Sequence, residues 1–493
     1  ASLRYIKKEK TKFCWSVKKM QKSNSLSVNY LYNVVYKVLT LITPLITTPY
    51  VSRVLGVENI GIYNYTYSVV SYFVLFGVLG YQMYGQREIA YTNRDLKKRT
   101  ETFWEIVWSR ACNVTLVTAI YLIFTINSAY RLIYTIFMLE LIANAIDISW
   151  YYYGAEKFKT ITIRNILVKL IGILCIFLFV RNEGQLFIYV FCHVIVLLIG
   201  NITLWIDIKK EINTFIGPTK NSFRHFKPAV LFFIPQCLDS IYMLMDKVML
   251  GNMSSMVQVG LYGQADKIIK MVVTVITSLG LVVSPRIAQC NAIGDEKTLK
   301  KYMYKSFGFV FVIGIPMTFG LVGVSNNFSS WFFGLEYDGV ATLMSLMSPI
   351  IVFMGLNSVM GWQYMMTVGR EKDFIKSVAA GAVANFILNS ILIGKYDAIG
   401  AVIASVLSMF IMSCINFKMI SDIINVKKVF ALALRPFIRG ALMLCAIAFI
   451  AKFINDVLIG TLIQCASGVI IYFLLEILAN DKVLKEYIVD ILS

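Results

Sequence analysis

Lys37, Arg110, Lys247 and Lys270 stand in stretches of sequence that are otherwise almost wholly apolar. An ionisable group at the centre of a bilayer costs about 3 kcal/mol or more, so it must face a cavity, a partner or water. Ammonium and guanidinium groups held in this way suit phosphate oxygens, which accept charge-assisted hydrogen bonds. Arg87 and Arg286 extend the set toward the ends of two such stretches. These six are candidates to line a cationic cavity for an anionic cargo. Arg53, Arg87 and Arg286 equally suit an interfacial role, with the stem in hydrocarbon and the head in water. Lys247 equally suits a neighbouring carboxylate.

The acids suggest a second chemistry. Glu140 and Asp147 are seven residues apart, as are Asp239 and Asp246, so each pair shares a helix face. Burial favours the protonated form of a carboxylate and a nearby cation favours the ionised form. A group between those influences can take up and release H+ or Na+ as access alternates. Glu140, Asp147, Asp239, Asp246 and Asp266 are therefore candidates for coupling or gating, or for ion-paired struts. Among neutral groups, Asn33, Gln82, Asn113, Asn144, Gln236, Asn357, Gln363, Asn385 and Asn389 suit sugar hydroxyls or helix–helix hydrogen bonding. Asn385 and Asn389, one turn apart, look like such glue. Trp104, Trp108 and Trp150 are candidates for stacking on a sugar face.

Other chemistries find no residues. Nine Cys are scattered without a C-x-x-C pair, and His193 and His225 are the two histidines; neither a metal site nor a disulfide framework is expected. There is no Gly-rich phosphate loop and no nucleophile–base spacing, so neither an enzyme nor a resident cofactor is expected. A coupling ion is the one small species implied.

The elements that must position these groups follow from composition. Of 493 residues 58% are hydrophobic and only 15% charged, with mean hydropathy +0.69. Apolar runs of about twenty residues recur, each long enough to span a core of roughly 30 Å. They are continuously apolar rather than alternating, which excludes barrel strands. The expected fold is all-α and polytopic, with fourteen spans near 31–52, 62–84, 104–126, 131–152, 163–181, 185–206, 229–250, 260–283, 305–325, 340–366, 374–394, 398–417, 437–456 and 459–478. Most of the 47 Lys and Arg fall in the even-to-odd loops and the two ends, while Arg53, Arg131, Arg181, Lys395 and Lys452 lie opposite. Basic loops stay in the cytoplasm, so both termini are expected there. The net charge of +19 is then a topology signal, and nucleic acid is not an expected partner. The stretch 1–28 is polar and basic, lacks the apolar core of a cleavable signal peptide, and reads as a disordered cytoplasmic tail.

A repeat divides the remainder. RVLGVENIGIY (Arg53–Tyr63) is echoed by VMLGNMSSMVQVGLY (Val248–Tyr262), and Arg87 and Arg286 each follow the glycine of a G-[IL]-Y triplet by 26 residues. Gly61 and Gly260 are expected to open turns. A weaker echo sets WYYYGAEKF (Trp150–Phe158) against QYMMTVGREKDF (Gln363–Phe374). Each half opens on a Pro-interrupted span, with Pro44 and Pro49 in one and Pro235 in the other, and these prolines are candidate hinges. Six spans separate the copies, so they share one orientation. Parallel lobes related by an axis along the membrane normal are a transporter architecture. The expected organisation is a lobe at 29–215, a second at 216–425, and two extra helices with a cytoplasmic end at 426–493.

The stretches NYLYNVVYKVLTLITPLITTPYVSRVLG (Asn29–Gly56), GIYNYTYSVVSYF (Gly61–Phe73), DISWYYYGAEKFKTITIRN (Asp147–Asn165), DKVMLG (Asp246–Gly251) and GLYGQADK (Gly260–Lys267) resemble the oligosaccharide flippases of the polysaccharide-transport family. These Wzx-type exporters of O-antigen and capsule repeat units fall within the multidrug/oligosaccharidyl-lipid/polysaccharide exporter superfamily. The resemblance implies twelve helices in two lobes plus a further pair, in a bacterial inner membrane. It also implies a polyprenyl-diphosphate-linked oligosaccharide as cargo, moved from the cytoplasmic to the outer leaflet, with a polymerase and chain-length proteins as partners. A cation-coupled multidrug exporter and a flippase for the peptidoglycan lipid precursor are rival readings in the same superfamily. Basic residues that match the acids in number favour anionic cargo over organic cations. A membrane polysaccharide polymerase would need a sizeable outer catalytic loop, and the longest outer connection, NNFSSWFFGLEYDGV (near 326–340), is too short.

Overall fold

The computed structural model describes residues 26–478 apart from Lys210 and Asn213. Helix is the regular structure throughout, with no strand among the described residues. This is the form in which a chain in lipid satisfies its own backbone. In order the helices are α1 (Leu26–Val78), α2 (Tyr81–Thr92), α3 (Leu96–Ile126), α4 (Arg131–Ala145), α5 (Ser149–Gly154) and α6 (Phe158–Phe179). There follow α7 (Leu186–Ile208), α8 (Phe226–Met253), α9 (Met256–Thr277), α10 (Gly280–Ile293), α11 (Glu296–Phe309) and α12 (Ile315–Phe332). The last are α13 (Val340–Met347), α14 (Ile350–Asn357), α15 (Glu371–Met419), α16 (Val426–Ala451) and α17 (Val457–Leu478).

Among the described residues, ten helices are long and apolar enough to cross a membrane, and one bent pair makes an eleventh. Two of the ten, Val38–Thr92 and Glu371–Met419, run 55 and 49 residues. At about 1.5 Å per residue each is long enough to cross a core of about 30 Å twice. The arrangement is consistent with fourteen spans.

The breaks in these long helices have local causes. Gly56 sits at φ 75° within α1, a conformation that glycine enters without penalty. Asp397 at φ 50° interrupts α15. The helix continues through Pro44 and Pro49, so the non-helical point of α1 lies beyond both. Pro235 lies within α8, and its side chain, like those of Lys37, Gln236 and Asp239, falls outside the described residues. At the loops, Asp95 caps α3 by accepting from the N–H groups of Lys97 and Lys98, and Ser255 caps α9 through Gln258 N–H.

The chain forms two compact units. The first comprises 76–180, 188–233 and the residues up to 47. Its centre is aromatic: Phe103 stacks on Trp150 at 5.5 Å and meets Tyr151 edge-on at 5.4 Å. Near the end of the last span, Glu211 accepts from Tyr151 Oη at 2.8 Å and pairs with Lys157.

The second unit comprises 48–75, 181–187 and 234 onward. It carries a corresponding clamp: Arg370 pairs with Asp422 at 3.0 Å and with Asp373 at 3.1 Å, and donates to Met419 O. The weak echo between 150–158 and 363–374 thus corresponds to a loop clamp in each unit. Elsewhere in this unit, Arg439 of α16 and Glu476 of α17 form a buried ion pair.

At the end of the spans opposite the basic loops, the part of α1 beyond Gly56 packs on α9 within this second unit. A Cβ built on Gly61 would lie 1.7 Å from Met256 O, and one on Gly260 would lie 2.2 Å from Val57 O. Neither glycine opens a turn, contrary to the expectation from sequence. Both are helical, and the missing side chain serves close approach of two backbones. Around this crossing Gln264 Nε2 donates to Ser52 Oγ at 2.9 Å, and Tyr65 Oη donates to Asn252 Oδ1 at 2.8 Å. Tyr337 Oη donates to Ser52 O at 3.3 Å, and Arg53 donates to Trp331 O.

Candidate functional site

In the second unit Asp246, Lys247, Asp266, Lys267 and Lys270 of α8 and α9 form two adjoining clusters. In the first, Asp266 receives two ammonium groups, Lys247 Nζ at 2.8 Å and Lys270 Nζ at 2.9 Å. Lys267 lies beside them on α9, with Nζ 3.5 Å from Thr48 Oγ1. Two cations therefore meet one carboxylate, with a third beside them, on helices that also carry Asp246. Lys270 is the more exposed partner of Asp266, its side chain 38% accessible against 16% for Lys247.

The second cluster is built on Asp246, and all the hydrogen bonds it receives come from neutral donors. Tyr262 Oη and Ser405 Oγ each donate to its Oδ2 at 2.5 Å, and Asn389 Nδ2 donates to Oδ1 at 2.7 Å. Asn389 Nδ2 also reaches Asn385 Oδ1 at 3.0 Å, while its own buried Oδ1 has no partner among the described residues. The donors come from α9 and from both limbs of α15. Asn389 thus serves a buried carboxylate, while Asn385 donates to Ser405 Oγ at 3.4 Å and joins the two limbs of α15 as helix glue would. A narrow cavity of about 30 Å³ is bordered by both clusters through Asp246, Tyr262, Asp266, Lys270 and Ser405, with methionines and isoleucines on the remaining wall.

The candidates of the first unit are bound differently. Arg110 is 2% exposed, and its guanidinium donates to Asp147 O at 2.6 Å and to Asn144 O. These carbonyls are freed where the chain leaves helix between α4 and α5, so Arg110 braces a broken span. Asp147 accepts from the backbone N–H and Oγ of Ser149, starting α5, and lies 3.8 Å from Arg164. Glu140 is buried, and its Oε2 has no partner among the described residues. Arg110→Ala would strand the buried Asp147 carbonyl, while Asn144 O keeps the N–H of Asp147 at 3.4 Å. A loss of about 3 kcal/mol is expected, read as a lower unfolding midpoint of the purified protein. Arg110→Lys should recover only part of it, because one ammonium cannot reproduce the fork.

Arg87 and Arg286 lie away from these clusters. Arg87 pairs with Glu88 at 3.1 Å and lies over the Phe232 ring at 4.7 Å with its side chain 42% exposed, and Arg286 is exposed on α10. The indoles on α3 hold a loop: Trp104 Nε1 donates to Thr214 O and Trp108 Nε1 to Ile216 O, both at 2.9 Å. Farther along the same connection, Glu105 accepts from Arg224 at 2.7 Å and from His225 Nε2 at 2.9 Å, and His225 Nδ1 faces Tyr84 Oη at 2.7 Å. Burial pushes the His225 imidazole below its ordinary pKa, against the opposing pull of Glu105. The neutral ring donates from Nε2 and accepts from Tyr84.

Sequence reasoning missed Tyr262, Ser405 and His225 as parts of these clusters. Tyr262 had a signal, as the tyrosine of the repeated G-[IL]-Y triplet. Ser405 had none, because its partner is far away in the chain.

The family described as "Polysaccharide biosynthesis protein" matches residues 26–291, and the MatE family matches residues 232–391. A putative O-antigen transporter of Escherichia coli K12 is 25% identical over 387 residues, which are 77% of this chain and 92% of that protein. Among solved structures, the lipid II flippase MurJ in an inward closed conformation superposes with a TM-score of 0.68 at 15% identity, covering 90% of this chain and 98% of its own. An inward-facing multidrug resistance MATE family transporter superposes with a TM-score of 0.59 at 12% identity, covering 80% of this chain and 95% of its own.

Proposed function

The chain belongs to the family of polysaccharide biosynthesis proteins, and on that premise we propose that it is a flippase for a lipid-linked oligosaccharide. It carries the glycan on a polyprenyl diphosphate from the cytoplasmic to the outer leaflet by alternating access. The observation that carries this reading is the cluster of Lys247, Lys267 and Lys270 around Asp266. A cation surplus in an apolar setting suits an anionic headgroup and repels organic cations, which weighs against the multidrug alternative. The name of the Escherichia coli relative supports the same cargo class.

Asp246 is the coupling carboxylate in this reading and exchanges H+ or Na+. Lys247 and Lys270 contact the diphosphate, while Arg110 acts through the fold of span four. In the same reading both termini are cytoplasmic, which the basic loops support, the membrane is a bacterial inner membrane, and polymerase and chain-length proteins receive the product outside.

The test is translocation of fluorescent undecaprenyl-diphosphate-linked sugar by the full chain in liposomes, with cationic dyes as the control cargo. Movement of the lipid and not of the dye is expected. Lys270→Gln, which leaves the Lys247–Asp266 pair intact, should weaken lipid binding about tenfold, the worth of one charge-assisted hydrogen bond. Dye transport without lipid movement would overturn the assignment.

A further inference from the structure

Beside the charged cavity the second unit holds a larger one of about 610 Å³, and Met243, Met354 and Met409 border both. The two spaces are therefore neighbours, yet their walls differ in kind. Among the described residues no ionisable side chain lines the larger one. Its polar groups are neutral, among them Ser284, Ser358 and Gln363, and its aromatic groups are Trp362 and Phe374.

Gln363 is 1% exposed, and its Oε1 is buried with no hydrogen-bond partner among the described residues. An acceptor left unmet in this way is costly unless a ligand supplies the donor. Trp362 meets Phe374 edge-on at 5.3 Å and remains 44% exposed. Both Trp362 and Gln363 sit on a π-helical turn, Ser358–Met365, a distortion that recurs at functional sites.

A pyranose ring presents an apolar C–H face to an indole and hydroxyl donors to an amide oxygen. A prenyl chain would satisfy the methionines but leave Gln363 Oε1 and the serine hydroxyls unmet. A uronic or sialic carboxylate would lose its water and find no counter-ion on this wall. Methionine side chains adjust to more than one shape, so the chamber can accept several neutral sugars.

We propose that this chamber holds the sugars adjacent to the diphosphate, and that those sugars are uncharged. The inference rests on the flippase reading above and adds where the glycan lies and which glycans are admitted.

The test uses the full chain in nanodiscs and three probes: undecaprenyl diphosphate, its N-acetylglucosamine conjugate and its glucuronic acid conjugate. The wild type is expected to bind the N-acetylglucosamine lipid about tenfold more tightly than the bare lipid, the worth of one hydrogen bond with stacking. The glucuronic acid lipid is expected to gain nothing over the bare lipid. Gln363→Leu and Trp362→Leu should each remove the sugar increment while holding bare-lipid affinity within twofold, which also reports that the variants are folded. An increment unchanged in both variants would place the glycan elsewhere. Equal weakening of bare and sugar-bearing lipid would make the chamber a prenyl site, and a glucuronic acid lipid bound as tightly as the neutral one would end the charge argument. Failure of the wild type to bind the bare lipid at all would overturn the flippase reading itself, a result distinct from the others.

Discussion

Gly61→Val is expected to abolish surface glycan while the protein still inserts into the membrane. The Cβ of any residue here falls 1.7 Å from Met256 O, and the obstacle is backbone rather than a side chain that could swing aside. The two helices must part, and with them the neighbouring contacts of Ser52 with Gln264 and Tyr337. In the proposed transport cycle this crossing lies at the outer face and seals it before cargo is taken up. The variant should therefore stay open outward. A cysteine at Ser52 should become reactive to an impermeant maleimide added outside, and transport should fall at least about thirtyfold, equivalent to about 2 kcal/mol against the closed state. Gly260→Val should do the same, since its Cβ meets Val57 O at 2.2 Å. Ordinary glycan levels in both variants would show that the crossing need not close.

Asp246→Asn is expected to uncouple transport from the ion gradient without unfolding the chain. The carboxylate is 6% exposed and accepts three hydrogen bonds, from Tyr262, Ser405 and Asn389, all neutral. A buried negative charge with neutral partners retains an attraction for a proton or a small cation that an ion pair would have spent. An amide keeps the size but loses the charge and turns one acceptor into a donor. Lipid binding at the adjacent lysines should change by no more than a few-fold, while gradient-driven transport falls to the unenergised rate. Imposing Na+ and pH gradients separately on liposomes identifies the ion. Undiminished acceleration by both gradients in the variant would remove Asp246 from the coupling step. Attention would then pass to Glu140, whose buried Oε2 has no partner among the described residues.

The fold was legible because hydropathy acts over twenty residues at a time and needs no knowledge of side-chain direction. The repeat was legible for a related reason: Gly61 and Gly260 occupy corresponding places in the two copies, although the sequence suggested turns where the structure has a helix crossing. The destinations of the cations were not legible. Arg110 braces the ends of a broken helix at residues 146–148, and neither Gly nor Pro marks that break in the sequence. Trp104 and Trp108 resemble sugar platforms until the loop that occupies their N–H groups, more than 100 residues away, is in place. Asp246 draws its partners from helices 143 and 159 residues further along the chain. Periodicity reports which face of a helix a residue shares, and tertiary packing decides what that face meets.

The helix crossing has a genetic corollary. Both residues at the point of contact already lack a side chain, one from each copy of the duplicated motif. A bulky lesion on either partner cannot be relieved by trimming the opposite one, because nothing is left there to trim. Second-site revertants of Gly61→Val should accordingly avoid position 260 and arise where a helix can be shifted bodily, and true reversion should dominate the survivors.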